Sequence, residues 1–160
     1  MMIIIVTGAP GSGKTKTSKL LFETTDNSAW VDGDSVLVTN PFDRNKQKRL
    51  RYKNIASLVR NYIDEGFINV FISFVYARNE DLKEQISLIN EKETVVRVFA
   101  LVLNTEALSK RHLNDDYERV SLESSVGLNN KIRGLENVEF IDNSNITIEE
   151  TADKIKEKII

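Results

Sequence analysis

Short apolar runs alternate with amphipathic segments along the whole chain. The first run, IIIVT at residues 3–7, is typical of a strand buried on both faces. A later segment, residues 44–65, follows a helical period instead, because its apolar positions Tyr52, Ile55 and Val59 share one face. Strands that alternate with helices pair in parallel through right-handed crossovers. The pattern therefore predicts an α/β fold, a three-layer sandwich with about five strands.

Eleven elements follow from the same pattern. The predicted strands are Ile3–Thr7, Ala29–Asp32, Asn69–Val75, Thr94–Leu103 and Val138–Ile141. The predicted helices are Lys14–Glu23, Arg44–Glu65, Glu80–Asn90, Glu106–His112 and Glu118–Lys131, with a last amphipathic helix from the capping box Thr147–Glu150.

The composition describes one globular domain, residues 1–160. Hydrophobic residues make up 41% and charged residues 29%, which excludes a disordered chain. No apolar run approaches the roughly 20 residues of a membrane span, and the N-terminus lacks the basic region of a signal peptide. The absence of cysteine excludes disulfides and thiolate chemistry, and the net charge of -2 argues against a general nucleic-acid binder. We therefore expect a cytoplasmic protein without a membrane or nucleic-acid partner.

Glycines and a lysine stand directly after the first predicted strand. Gly8, Gly13, Lys14 and Thr15 match the pattern G-x-x-x-x-G-K-[ST], between a strand and a helix. The glycines let successive N–H groups face one concavity, and this concavity and the helix N-terminus both favour an anion. Lys14 would then contact the β- and γ-phosphates of a nucleotide, and the Thr15 hydroxyl would bind Mg²⁺. The alternative is a glycine-rich turn with an ordinary surface lysine.

Two aspartates end the second predicted strand, in WVDGDSV. A period of two would place the carboxylates of Asp32 and Asp34 on the same side. This edge of an open α/β sheet is where ligands bind. One carboxylate would orient Mg²⁺ through water, and the other would accept a proton from a substrate hydroxyl. The alternative is a simple Asp-Gly turn.

Together, GAPGSGKT and the later VDGD resemble the small P-loop kinases of the nucleoside-monophosphate-kinase superfamily, which include gluconate, adenylylsulfate and shikimate kinases. Trp30 before Asp-Gly-Asp and TNPF at residues 39–42 are similar to a group of predicted kinases within it. The resemblance implies the strand order 2-3-1-4-5, ATP and Mg²⁺ as cofactors, and phosphoryl transfer to a small hydroxylated acceptor. It makes Lys14 and Asp34 candidate catalytic residues, Asp34 as the base, and makes Asp32 a partner of Mg²⁺. The candidate cofactor-binding residues of the loop are Gly8, Pro10, Gly11, Ser12, Gly13, Lys14, Thr15 and Lys16.

The segment LSKRHLNDDYERVS resembles the lid of these kinases, placed here at about residues 111–120. The resemblance implies that Arg111 stacks on adenine and that Arg119 is catalytic, contacting the transferring phosphoryl group. It also implies an adenine pocket at IDNSN, with Asn143 as a cofactor-binding residue. The alternative for the lid is a solvated charged loop with surface ion pairs, in which the lone His112 is an ordinary surface side chain.

Two departures from the resemblance narrow the possibilities. The third strand, NVFISF, ends without the aspartate of an ordinary Walker B motif, and no N-K-x-D guanine motif occurs near the fourth. Both observations argue against motor and GTPase interpretations. The third strand is followed by SFVYAR where shikimate kinases have GGG, so shikimate is not expected as the acceptor.

A basic run, RNKQKRLRYK, opens the second predicted helix at residues 44–53. Arg44, Lys48 and Arg51 would lie on the apolar face of that helix, and the cations that point away are Lys46, Arg49 and Lys53. We infer that the helix start overhangs a cleft and that the acceptor is anionic. The candidate substrate-binding residues are Asp34, Lys48, Arg51 and Arg78. The alternatives are a helix that begins near Lys48 after a basic loop, and a patch for RNA phosphates.

The leading hypothesis is an ATP-dependent kinase for a small-molecule acceptor. A second hypothesis is an ATP-binding switch or accessory protein with little catalysis. In a third, a nucleic-acid end kinase, the basic run holds a polynucleotide.

Overall fold

The computed structural model describes residues 1–90, 94–113 and 120–159. Its strands are β1 (Met2–Gly8), β2 (Ser28–Asp32), β3 (Asn69–Ser73), β4 (Val95–Val102) and β5 (Glu139–Asp142). Its helices are α1 (Lys14–Glu23), α2 (Arg44–Asp64), α3 (Asn79–Ile89), α4 (Thr105–Leu113), α5 (Leu122–Ile132) and α6 (Ile148–Ile159). All strand pairs are parallel, in the order β2-β3-β1-β4-β5. The predicted α/β class and strand order are thus confirmed.

Helices cover both faces of the sheet. Ile3 and Ile5 of β1 pack into one apolar layer with α2, α3 and α5, whereas Ile4 and Val6 pack into the other with α1 and α6. All four side chains are fully buried. A strand buried on both faces has no polar alternation, which explains the continuous apolar run in the sequence.

The start of α2 settles one alternative left open by the sequence. The helix begins at Arg44 because Asp43 is its N-cap, and the Asp43 carboxylate accepts a hydrogen bond of 2.9 Å from the Lys46 N–H. The basic run is therefore helical from its first residue, as predicted. The interpretation that the helix begins near Lys48 is wrong.

Two predicted boundaries need correction. The helix expected over residues 118–131 begins at Leu122 in the described chain, because Ser121 is extended and its hydroxyl accepts a hydrogen bond of 3.2 Å from the Ser124 N–H. The strand β3 ends at Ser73 and not at Val75. The capping box of α6 forms as predicted, since Thr147 and Glu150 exchange hydrogen bonds of 2.7 and 3.1 Å. No described helix is long and apolar enough to cross a membrane.

Candidate nucleotide-binding site

The phosphate loop, defined here as residues 8–15, joins the end of β1 to the start of α1. Gly11 and Gly13 have φ angles of +80° and +86°, in the left-handed region that suits glycine. Gly13 is the N-cap of α1, so no side-chain hydrogen bond caps the helix. The first N–H groups of a helix have no partner within it, and at this end they form a set of donors suited to an anion.

Close packing also limits the space at two of the glycines. A Cβ atom on Gly8 would lie 2.2 Å from the Ser12 hydroxyl oxygen, and one on Gly13 would lie 2.7 Å from the Ile148 Cδ1 atom. Ser12 is fully buried, and its hydroxyl has no hydrogen-bond partner among the described residues. The loop is therefore compact, and its backbone is held close to β1 and to the start of α6.

Lys14 is the chemically unusual residue of this loop. It is only 8% exposed, yet its ammonium forms no ion pair or hydrogen bond with any residue in the described ranges. Burial lowers the pKa of Lys14, while the charges of Asp34 and then Asp32 oppose that shift. A buried ammonium without a close counter-ion is costly, so this position favours an anionic ligand. The electrostatic influence of both aspartates shows that they lie on the same side of the molecule as Lys14.

Asp32 and Asp34 are held by a turn. Both Asp32 carboxylate oxygens accept hydrogen bonds, one from the Asp34 N–H at 3.2 Å and the other from the Ser35 hydroxyl at 2.9 Å. Asp34 itself is exposed and lies beyond the end of β2. The strand ends at Asp32, so a turn and not the strand period sets the direction of the Asp34 carboxylate, and the expectation that both carboxylates share one side stays a prediction. The turn and the proposed chemistry are compatible, since Asp34 stays open to a ligand.

The end of β3 contains a serine where an ordinary Walker B motif has an aspartate. Ser73 pairs with Asp32 of β2 and with Val6 of β1 in the sheet. Its hydroxyl accepts a hydrogen bond of 3.2 Å from the Trp30 indole N–H. The nearest acid at this edge is thus Asp32, one strand away from the expected position.

The residues present fit a nucleotide with Mg²⁺. Lys14 and the loop donors suit phosphates, while Thr15 in the first turn of α1 and Asp32 offer oxygen atoms. The described residues contain no group of three or more histidine, cysteine or acidic side chains that could hold a metal ion. Mg²⁺ usually binds one or two protein groups together with phosphates and water, and this donor set is of that kind.

Arg111 and Asn143 lie against the phosphate loop. The Ser12 carbonyl oxygen accepts hydrogen bonds from the Asn143 amide at 2.8 Å and from Arg111 Nη1 at 3.2 Å. Arg111 also donates to the carbonyls of Asn143 and Ile146, and its burial lowers its pKa. The adenine roles implied by the resemblance stay predictions, and both side chains have structural partners here.

The cations at the start of α2 and at the start of α3 differ in exposure, and two of them share a partner. Lys48 is half-buried and pairs with Asp81, to which Arg78 also donates two hydrogen bonds of 3.0 and 2.8 Å. Burial alone would raise the pKa of Asp81, but hydrogen bonds from Arg78 and Lys48 lower it. Arg44, at the first position of α2, is exposed. The substrate-binding roles of Lys48 and Arg78 stay predictions, with both cations bound to the same carboxylate.

Arg51 lies close to the aspartate turn. It is half-buried, its buried Nε has no hydrogen-bond partner among the described residues, and its guanidinium lies 5.2 Å from the centre of the Phe74 ring. Phe74 in turn packs on Gly33, where a Cβ atom would come within 2.7 Å of the ring. Arg51, Phe74 and Gly33 are therefore consecutive neighbours, and Gly33 directly precedes Asp34.

Several contacts of this site were not predicted from the sequence. Tyr52, Phe74 and Tyr76 form an aromatic cluster with ring centres 5.2 to 6.3 Å apart. The Tyr76 hydroxyl donates to Gln85 at 3.0 Å, and burial raises the pKa of both tyrosines. The aromatic letters of SFVYAR were the available signal, but the cluster needs α2 to be placed over β3.

Part of the predicted lid lies outside the described residues. Arg119 is among them, so its catalytic role stays a prediction. The Nε2 atom of His112 lies 2.7 Å from the carbonyl oxygen of Val120, within hydrogen-bond distance.

Comparison with known proteins places this architecture among kinase structures. No protein-family model matches the chain, and no curated protein matches it. A sugar kinase from Janibacter sp. HTCC2649 superposes with a TM-score of 0.78 at 14% identity, over 99% of this chain and 94% of that one. The tunicamycin resistance protein of Deinococcus radiodurans gives 0.75 at 17% identity, over 98% and 94%. A gluconokinase from Sinorhizobium meliloti 1021 gives 0.67 at 14% identity, over 98% and 94%.

These similarities establish the fold. The chain has a parallel sheet with flanking helices in common with these structures, and the likeness extends over almost the whole length of each structure. The predicted resemblance to that fold is thereby confirmed.

Proposed function

We propose that this chain is an ATP-dependent kinase that phosphorylates a hydroxyl group of a small anionic molecule. The observation that carries the proposal is Lys14, a buried ammonium without an ion-pair partner among the described residues, in a loop of left-handed glycines. Its main electrostatic neighbour is Asp34. Structural likeness to a sugar kinase and a gluconokinase supports the same activity.

Each residue then has a role defined by its position. Lys14 and the N–H groups of the phosphate loop bind the phosphates and neutralise charge that develops during transfer. Thr15 and Asp32 would hold Mg²⁺, directly or through water, and Mg²⁺ supplies further charge neutralisation when bound. Asp34 is exposed beside this centre, and it accepts the proton of the acceptor hydroxyl as that oxygen attacks the γ-phosphorus of ATP. The bond between this phosphorus and the bridging β,γ-oxygen breaks, and ADP leaves with that oxygen.

Arg51 supports an anionic acceptor. Its guanidinium is half-buried near the aspartate turn, and its Nε has no partner among the described residues. Arginine binds carboxylate or phosphate through two parallel hydrogen bonds, so a ligand of this charge would satisfy the buried donor. The guanidinium also lies 5.2 Å from the centre of the Phe74 ring, within the range of a favourable cation–π contact.

The test measures transfer of label from the γ-phosphate of ATP into a pool of metabolites. Wild-type protein should label a hydroxylated carboxylate or phosphate ester. Asp34→Asn should abolish the transfer but keep ATP affinity within about two-fold, because an amide has the shape of the carboxylate but is a poor base. An equal loss of ATP binding in this variant would contradict the role of Asp34.

Two outcomes would overturn the proposal itself. No rise in melting temperature at millimolar ATP and Mg²⁺ would contradict nucleotide binding, since a ligand of the native state must stabilise it. ATP binding without transfer to any small molecule, combined with salt-sensitive retention of oligonucleotides, would favour a nucleic-acid end kinase. The exposed cations Lys46, Arg49 and Lys53, which form no ion pair with other described residues, would then be the binding surface.

A further inference from the structure

The Ser12 carbonyl is held by two side chains from distant parts of the chain. Asn143 follows β5, and Arg111 belongs to α4. Both donate to this one oxygen, at 2.8 and 3.2 Å. Ser12 itself stands between Gly11 and Gly13, which have positive φ angles. Peptide planes flanked by glycine rotate with little steric resistance, so something else must fix the orientation of this plane.

The direction of that carbonyl determines the direction of a neighbouring donor. In a planar trans peptide the C=O and the following N–H point in opposite directions. Because the Ser12 oxygen accepts from Asn143 and Arg111, the Gly13 N–H points away from these two side chains, and at the N-cap of α1 it is placed to donate to an anion bound there. A rotated plane would present an oxygen to the phosphates and would repel them.

We infer that Arg111 and Asn143 are positioning residues for phosphate binding, which act through the Ser12–Gly13 peptide. The inference rests on the proposed function and adds two residues to it. We name this pair of contacts the Ser12 clamp.

The environment of both side chains agrees with this role. Asn143 is fully buried, and its amide nitrogen is used on Ser12 although its Oδ1 has no partner among the described residues. Arg111 reaches three backbone carbonyls, those of Ser12, Asn143 and Ile146. A guanidinium with five fixed donors can join several acceptors at once, and an ammonium on a single stem cannot do so in the same geometry.

The experiment measures binding of inorganic tripolyphosphate and of ATP by calorimetry. Tripolyphosphate has the phosphates but lacks the base. Its affinity therefore distinguishes an effect of the Ser12 clamp on phosphate binding from the loss of a contact with adenine. Asn143→Leu keeps the approximate volume and removes the donor. This substitution should weaken the binding of ATP and of tripolyphosphate by the same factor, roughly 5- to 100-fold for the loss of one buried hydrogen bond. Arg111→Lys keeps the charge, and it should also weaken both ligands.

Matched controls exist elsewhere in the chain. Asn129 is a buried asparagine that bonds the backbone of Leu103 at 2.8 and 3.1 Å, and Arg133 donates to the Leu103 carbonyl at 2.9 Å. Asn129→Leu and Arg133→Lys should lower the melting temperature without changing the affinity for tripolyphosphate. The controls thus separate a general loss of stability from an effect on the loop.

The outcomes are distinct. Wild-type affinity for tripolyphosphate in both site variants would overturn the inference, and so would a loss confined to ATP, which would make adenine the partner of Arg111. If Asn143→Leu does not fold, Arg111→Lys alone decides. Failure of the wild-type protein to bind ATP or tripolyphosphate would instead contradict the proposed function, so the two failures cannot be confused.

Discussion

Replacing Lys14 by methionine should stabilise the ligand-free protein and abolish its response to nucleotide. The lysine ammonium is buried and has no close counter-ion among the described residues, and burial lowers its pKa against the opposing charges of Asp34 and Asp32. Methionine has a flexible unbranched side chain of similar length and no charge to desolvate. The substitution therefore removes a cost from the folded state and leaves most of the packing intact.

The size of the effect follows from the cost of an unpaired buried donor. Leaving such a group unsatisfied costs about 1–3 kcal/mol, and a charged group costs more, while the two aspartates offset part of it. We therefore expect a gain of about 2 kcal/mol. For a domain of this length that gain corresponds to a rise of about 4–8 °C in melting temperature. Calorimetry in a buffer free of phosphate measures it directly.

A control and a pH series sharpen the test. Lys19 lies on the same helix but is exposed and pairs with Glu23 at 3.7 Å, so Lys19→Met should change the melting temperature by less than about 2 °C. A lysine with a lowered pKa binds fewer protons in the folded state than in the unfolded state. The stability contribution of Lys14 therefore rises with pH from its lowered pKa up to the ordinary value of 10.5. The methionine variant should lack this increase.

One result would refute the reasoning. If the Lys14→Met variant without ligand melts at or below the wild-type temperature, the buried ammonium does not destabilise the folded state. Loss of activity in this variant would not by itself show that the buried ammonium is costly, because many kinds of structural damage abolish activity.

Three further predictions concern the acceptor, the loop and a helix end. Arg51→Ala should raise the KM for the acceptor by about 10- to 150-fold, the loss of a charged hydrogen bond, and leave the KM for ATP unchanged. Arg49→Ala, on the exposed face, should leave both constants at wild-type values in steady-state assays. Gly8→Ala should abolish the thermal shift caused by ATP, because its Cβ atom would lie 2.2 Å from the Ser12 hydroxyl. Thr147→Ala should lower the melting temperature by about 2–4 °C without affecting ATP binding, since it removes one helix cap worth about 1 kcal/mol.

The fold was predictable because its signals are local. The apolar run at residues 3–7 predicted β1, and the helical period after Arg44 predicted α2. Helix α2 begins at Arg44 because the side chain of Asp43 caps it. The glycine-rich loop was equally visible as a sequence pattern, since Gly11 and Gly13 have the left-handed φ angles that favour glycine. Helix α5 begins later than predicted because Ser121 is its N-cap, and the hydroxyl of that serine accepts from the Ser124 N–H.

The rest of the site depends on contacts between distant segments. Asn143 is 131 residues from Ser12 in the sequence, and Arg111 is 99 residues from it. Nothing local in IDNSN distinguishes an asparagine that holds the loop from one that faces a nucleotide. The direction of the Asp34 carboxylate likewise depends on the turn that follows β2, in which the Asp32 carboxylate accepts hydrogen bonds from Asp34 and Ser35.

The partners of the candidate substrate-binding cations show what the tertiary structure adds to the sequence. The sequence offers Lys48, Arg51 and Arg78 as candidate cations for an anionic acceptor. The fold places Asp81 between Lys48 and Arg78, so these two already share one carboxylate. Arg51 alone among these three has no acid within ion-pair distance in the described chain, and an aromatic ring holds it in place. One guanidinium matches one carboxylate or one phosphate group. If the proposed function holds, we therefore expect an acceptor with a single anionic group near its reactive hydroxyl and not a polyanion.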